Sequence, residues 1–374
     1  MKILLAISTY ADLDKPTMGS ERQAMGTAYA LKERGHDVYV HNILKHSPSW
    51  EDGYDIVHMF NASGKKGPYM HIAQHARLLG IPVVFTPVYW PLAELKHNIG
   101  VFQNFGANER PDLFQAFEED VLGLSLTMRY VDWWTPNAEL EAATILGLTD
   151  MMNNYDIVPL QARCTVIPNA VDVTGEIDAA LAEDVKLSPQ AAANMADRYI
   201  ICVARMEIRK NQHRLIKAME ILWQDDPKLQ LVLVGAMNPG YVKSWEASVK
   251  GQNVMMNGPM EPRLVMQLLK NASVAVLPSL LETPGLVNLE AAALGTPVVA
   301  SDRGSVKEYL ANGAYYCDPL SPKDIAAKIK QALDAGRTEV TDRLKEHVRT
   351  QYSYSRVAEM CEAVYTRLQN PEEA

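Results

Sequence analysis

Cysteine is scarce and scattered in this sequence. The 374 residues include four cysteines, Cys164, Cys202, Cys317 and Cys361, with no C-x-x-C pair and no zinc-ligand spacing. That excludes a disulfide-dense secreted scaffold and reads as reduced core thiols of a cytoplasmic protein. Long hydrophobic runs are lacking as well. The opening MKILLAISTYADLDKP turns polar after a few apolar residues, too few for the apolar region of a signal peptide, and no stretch reaches the length of a bilayer span. Basic residues are outnumbered, 36 Lys plus Arg against 45 Asp plus Glu, for a net charge of −9. Such a chain has no overall field that draws phosphate backbones or anionic membranes, which argues against a nucleic-acid partner and leaves only a local patch for peripheral membrane contact. Internal repeats and low-complexity tracts are absent too. What remains is ordinary: 48% hydrophobic and 22% charged residues, the composition of a soluble globular protein. Its length predicts two domains of comparable size.

Short β-rich runs alternate with longer helical patterns. Ile3–Ile7 predicts a buried strand, and Gln23–Arg34 a helix stopped by Gly35. Strands follow at Asp37–Val40, Asp55–Met59 and Pro82–Phe85. The pattern restarts with a strand at Tyr199–Val203, a helix at His213–Trp223, and strands at Leu229–Val234, Val274–Leu277 and Pro297–Ala300. This is βαβ logic, which implies parallel sheets covered by helices. Val173–Arg198, Ala-rich and acidic, reads as the connection between the halves. The expectation is two doubly wound, Rossmann-like α/β domains, whose ligands sit outside the carboxyl ends of the strands.

The segment from Pro278 to Gly295, PSLLETPGLVNLEAAALG, carries most of the chemical information. A strand ends near Pro278 and a helix begins around Leu286, so the first-turn N–H groups form an anion site that Gly285 lets a ligand approach. Glu282 lies in the loop before that helix, and Glu290 lies eight residues on, inside it. Two carboxylates bracketing a phosphate-binding helix start suit a ligand with one sugar, a diphosphate and a second sugar. The spacing alone equally fits a surface glutamate followed by an ordinary helix-turn acid.

The E-x7-E spacing followed by AAALGTPVVAS strongly resembles family 4 glycosyltransferases, retaining enzymes of the GT-B fold. That resemblance implies that Glu282 faces the hydroxyls of the donor sugar and that Glu290 holds the ribose of the nucleotide. Pro284 stands where the family usually has Phe, and Gly285 keeps the family's glycine. Val203–Gln212, VARMEIRKNQ, resembles the family's R-x4-K segment, whose Arg and Lys (here Arg205 and Lys210) clamp the donor diphosphate. Two fixed cations after a strand can neutralise a leaving group without a metal. Asn211 replaces the family's common Gly. VIPNAVD at Val166–Asp172 resembles the signature that closes the first domain. Gly19-Ser20 resembles the N-terminal Gly-Gly loop, with Ser20 at the second Gly, and Tyr352-Ser353-Tyr354 resembles the start of the final helices that cross back to that domain. The implied organisation is an acceptor-side domain over residues 1–173, a connection over 174–198, a donor-binding domain over 199–350 and a crossing C-terminal segment over 351–374. Base recognition in the family involves backbone at the position of Gly258 to Met260.

The family's His or His-Asp after the strand at Val83 is missing here. Tyr89 and Trp90 in that region are candidates for stacking on an acceptor sugar or for the core, and His58 is a candidate polar contact on the acceptor side. Asp12-x-Asp14 has the spacing of the metal motif of the other glycosyltransferase fold but lacks its strand context. His71 and His75, four apart on a helix, have no third ligand in view. The reading is a cytoplasmic, metal-independent retaining glycosyltransferase, with no cofactor beyond its nucleoside diphosphate sugar and with an unidentified acceptor. The alternatives are another GT-B enzyme (a phosphorylase or a nucleotide-sugar epimerase) or a non-catalytic nucleotide-sugar binder.

Overall fold

The computed structural model describes the chain except residues 10–12, 14–18, 46, 52, 61–65, 89–127, 129, 151–159, 184–194 and 371–374, and the backbone alone at 66–68, 148–150, 160 and 161. The contacts divide it into two units, Met1–Ala170 with Tyr354–Ala374, and Val171–Ser353.

In the first unit the order is β1 (Lys2–Ile7), α1 (Gly19–Glu33), β2 (Asp37–Asn42), β3 (Ile56–Phe60), α2 (Lys66–Leu78), β4 (Val83–Thr86), β5 (Trp133–Trp134) and α3 (Glu139–Asp150). All its strands pair in parallel, in the order β2-β1-β3-β4-β5. Strands β3 and β4 are buried at every position, as a sheet covered on both faces requires. Helix α1 stops because Gly35 takes φ +90°. The Gly35 N–H then donates to the Lys32 carbonyl at 2.9 Å and the His36 N–H to the Leu31 carbonyl at 3.1 Å, a Schellman closure that turns the chain into β2.

The second unit runs β6 (Tyr199–Val203), α4 (Gln212–Asp225), β7 (Gln230–Val234), β8 (Val254–Asn257), α5 (Pro262–Asn271), β9 (Val274–Leu277), α6 (Leu286–Ala293), β10 (Val298–Ser301), β11 (Tyr315–Cys317), α7 (Pro322–Ala335) and α8 (Glu339–Gln351), among helices of eight residues or more. Its parallel sheet has the order β11-β10-β9-β6-β7-β8. Counted from β6 this is the doubly wound order 3-2-1-4-5-6, and the direction of winding reverses between β6 and β9. Loops leaving the carboxyl ends of those two neighbours converge there, so the fold fixes in advance where a ligand site belongs. Before β6, the short helix Asp178–Ala182 packs on α5, where Gln267 Nε2 donates to the Ala180 carbonyl at 3.0 Å and the Glu183 carbonyl at 2.6 Å.

The last helix, α9 (Tyr354–Gln369), returns to the first unit and packs on α1. Gly26 makes this possible, because the Tyr354 ring occupies the space its side chain would fill. Deeper in, Tyr365 of α9 reaches the sheet. Its hydroxyl lies 2.6 Å from Nδ1 of His58 on β3, whose Nε2 lies 2.8 Å from Thr86 Oγ1 on β4, which lies 2.7 Å from Thr135 Oγ1 just beyond β5. All four residues have 5% exposure or less. Burial pushes the His58 pKa down to about 3, so the ring is neutral and both nitrogens serve the network. The unfolded chain binds that proton below pH about 6.5. Stability therefore declines as pH falls from there towards 3, by up to about 1.4 kcal/mol per pH unit from this group. We expect His58→Gln to flatten that slope, measured by urea unfolding at stepped pH. An unchanged slope would remove His58 as its source.

Candidate functional site

The turn after β6 and the loop after β9 build one charged cluster at the reversal point of the second sheet. Glu282 is its centre, with a side chain 5% exposed. Its Oε2 accepts hydrogen bonds from Lys210 Nζ and, at 2.9 Å, from Ser279 Oγ. Its Oε1 lies 3.6 Å from Arg209 Nη1. Arg209 also donates from Nη2 to Glu207 Oε1 at 3.1 Å, and Glu207 Oε2 lies 3.7 Å from Arg205 Nε. Burial opposes the charge on Glu282, but Lys210 and Arg209 more than offset it and hold its carboxyl below the usual range. Burial likewise pushes Lys210 below its ordinary value, against the pull of Glu282.

The backbone is shaped to bring these groups together. Asn211 takes φ +63°, the left-handed conformation that ends the short Ile208–Lys210 turn, and asparagine tolerates that region better than other residues with a side chain. It is 1% exposed, and its Nδ2 donates at 2.8 Å to both the Pro278 and Pro319 carbonyls, tying the Lys210 turn to the end of β9. Asn211 thus supplies the left-handed turn and braces it to the loop after β9. Gly285, at φ +79°, starts α6. The space its Cβ would fill is taken by Glu282 Cγ at 2.7 Å and Leu277 Cδ2 at 2.9 Å, so the close approach it permits here is that of the Glu282 stem. At Gly304 a Cβ would stand 2.0 Å from the Glu282 carbonyl oxygen. That glycine lets the loop after β10 lie along the Glu282 backbone, where the Ser305 N–H donates to the same carbonyl at 3.2 Å.

The remaining sequence candidates fall as follows. Arg205 is on the same turn as Lys210, with its side chain 65% exposed. Pro284 is buried, and Leu286 is half-buried at the first position of α6. Glu290 is buried within α6, 4% exposed. Gly258 and Met260 are half-buried just beyond β8. Gly19 and Ser20 open α1 in the first unit, exposed and half-buried respectively. His58 is enclosed by Tyr365 and Thr86, with no surface of its own. His71 and His75 are exposed on α2, where the His75 ring stacks on Trp50 at 4.6 Å between centroids. Tyr89, Trp90, Asp12 and Asp14 lie outside the described residues. Two contributors were not singled out from the sequence, Arg209 and Ser279. Arg209 stands next to Lys210 and shared its basic run; Ser279 carried no signal apart from opening the loop.

Residues 185–351 match the family model of the glycosyl transferases group 1. A glycogen synthase of Mycobacterium tuberculosis is 32% identical over 142 residues, 36% of this chain and 34% of that protein. An uncharacterized glycosyltransferase of Methanocaldococcus jannaschii is 31% identical over 213 residues, 54% of each. A D-inositol 3-phosphate glycosyltransferase of Corynebacterium glutamicum is 25% identical over 230 residues, 58% of this chain and 54% of that protein. The chain thus spans from a third to about half of the length of these relatives. Among solved structures, the sucrose-phosphate synthase of Thermosynechococcus elongatus superposes with a TM-score of 0.73 at 18% identity, covering 98% of this chain and 99% of that one. Anabaena HepE, solved in complex with UDP and glucose, gives 0.69 at 16% identity, with 98% and 99% covered. The fold is that of the GT-B glycosyltransferases. The family match and the named relatives support a transferase. In GT-B terms, the charged cluster stands at the winding reversal of the second Rossmann-like unit, inside the matched segment. No helix among the described residues is long and apolar enough to cross a membrane.

Removing one member of a buried ion pair leaves the other charge uncompensated, at a cost of about 3–5 kcal/mol. Lys210→Ala is therefore expected to lower the unfolding midpoint strongly, and Glu282→Gln added to it to recover much of the loss. Strictly additive losses in the double variant, read by denaturant titration, would mean that the pair is not coupled.

Proposed function

We propose that the chain is a retaining glycosyltransferase of family 4, cytoplasmic and independent of a protein-bound metal. It would move a sugar from a nucleoside diphosphate donor, held by the second unit, to an acceptor hydroxyl at the first. The observation that carries this reading is the gathering of Lys210, Arg209 and Glu282 at the β6/β9 reversal point, immediately before the start of α6. A diphosphate leaving group gains negative charge as the anomeric C–O bond breaks. Arg205 and Lys210, with the N-terminal dipole of α6, supply fixed positive charge for it. Glu282 accepts hydrogen bonds from the hydroxyls of the donor sugar and Glu290 from the ribose. The acceptor hydroxyl forms the new C–O bond on the face the leaving group vacates, and its proton passes to the departing phosphate. No protein nucleophile enters this scheme, so catalysis rests on position and charge. HepE, with UDP and glucose bound, supports a nucleotide-sugar donor. Chelation by EDTA should leave activity largely intact.

Arg205, being exposed, can be removed with little disturbance of the core. Arg205→Ala should lower turnover by roughly two to three orders of magnitude, the usual effect of losing one preorganised charge partner. The two glutamates should separate by ligand. Losing a charged hydrogen-bond acceptor costs about 1.5–3 kcal/mol. Glu290→Gln should thus weaken binding of both nucleoside diphosphate and nucleotide sugar by roughly ten-fold or more. Glu282→Gln should spare the diphosphate and lower turnover of the sugar donor. Calorimetric titration with UDP, GDP and ADP and their sugars measures this and identifies the base. Equal loss of diphosphate affinity in the two variants would overturn the assignment.

A further inference from the structure

This inference rests on the reading above and deepens it. In the structure Lys210 is committed to Glu282. In the proposed reaction Lys210 must face the donor diphosphate, which withdraws a cation from a carboxylate that is 5% exposed. Glu282 then needs another positive partner to stay ionised and in place beside the sugar. The structure already holds one. Arg209 Nη1 stands 3.6 Å from Oε1, the carboxylate oxygen that Lys210 and Ser279 do not use. Glu207 holds the other arm of its guanidinium at 3.1 Å, and the Leu280 N–H donates to the Arg209 carbonyl at 2.8 Å, so its backbone is tied to the loop that carries Glu282.

We propose that Arg209 is a positioning residue that takes over Glu282 when the donor diphosphate draws Lys210 away. Each carboxylate oxygen has its own cation, so one can leave without releasing the other. An arginine suits this role because its charge is permanent and its planar fork keeps its direction when a neighbour moves. The polar groups facing Glu282 come from every side of its pocket. Lys210 and Arg209 come from the β6 turn with Glu207 behind them, Ser279 from its own loop, and the Gly304–Ser305 backbone from the loop after β10.

The test compares Arg209→Gln and Arg209→Lys with wild type, using donor-sugar turnover across pH and calorimetric titration with the free nucleoside diphosphate. With its remaining cation gone, Glu282 should take up a proton at higher pH. We expect the acid limb of kcat in Arg209→Gln to rise by about one pH unit or more. The value of kcat should fall roughly ten- to hundred-fold, with diphosphate affinity nearly unchanged and the limb partly restored in Arg209→Lys. An unmoved acid limb, or a diphosphate affinity that falls in step with kcat, would overturn the proposal, the second making Arg209 a phosphate ligand instead. A measurement without substrate keeps it separate from the functional reading. Thermal unfolding should show Arg209→Gln costing more in a Lys210→Met background than in wild type, because there Arg209 is the cation left on Glu282. Equal losses in both backgrounds would overturn the takeover even if transfer activity is found. Failure of wild type to bind any nucleoside diphosphate would overturn the glycosyltransferase reading, and Arg209 as a positioning residue for that reaction with it.

Discussion

A carboxylate as enclosed as that of Glu282 remains ionised only where opposing charge is supplied within a few ångströms, since desolvation by itself drives it towards the neutral acid. Lys210 and Arg209 meet that requirement, and both come from a different strand-loop than Glu282. The loops after β6 and β9 are therefore held together by a charge constraint, and the geometry around them follows from it. The buried pair is a weak source of net stability, because well-packed apolar groups would do as well. It is costly only when half of it is removed. Under the function proposed above, such a cluster is a poised site, in which charges assembled at folding are redistributed when the anionic donor arrives.

Backbone conformations at three positions let the cluster close. Gly304 allows the loop after β10 to lie against the Glu282 carbonyl, Gly285 allows the Glu282 stem to pass under the start of α6, and Asn211 turns the β6 loop through a left-handed residue. Asn211 differs from the glycines in kind. They provide room, whereas its amide adds two hydrogen bonds that anchor the Lys210 turn to Pro278 and Pro319. At this position the side chain that accompanies the left-handed turn is also what holds the turn in place.

The strands legible in the sequence are the inner ones of each sheet and one edge strand, β2, read at Asp37–Val40. Ile3–Ile7, Tyr199–Val203 and Val274–Leu277 are continuous apolar runs because both of their faces are covered, and the structure has them as β1, β6 and β9 with bounds shifted by at most a residue. The strands that escaped are all at sheet edges: β5, β8 and β11. β5 is two residues long, β8 reads VMMN and is half-exposed, and β11 reads YYC. Edge strands bury less, so the apolar run on which sequence reading depends is short or missing. The site divides in a similar way. Lys210 and Glu282 were legible because their motifs have spacing, and the structure brings their side chains into contact. Arg209 and Ser279 were not, because what recruits them is the position of Glu282 in space, which no spacing along the chain encodes.

Among the described residues, the two sheets use polar groups at their winding reversals differently. The first sheet, in the order β2-β1-β3-β4-β5, reverses between β1 and β3, where β3 presents His58. That imidazole is neutral and spent on an internal network running to Tyr365 and Thr86, so its polar capacity goes into fastening α9 to the sheet. At the corresponding reversal of the second sheet, the polar side chains stand in the loops beyond the strands, on residues whose charge is balanced only locally. The same topology thus serves two ends. The described polar group within β3 is consumed by folding, whereas those beyond the carboxyl ends of β6 and β9 carry charges that balance one another. Glu282 stands just far enough past β9 to be buried by its neighbours without being absorbed into the core, and the function proposed above turns on that difference in depth.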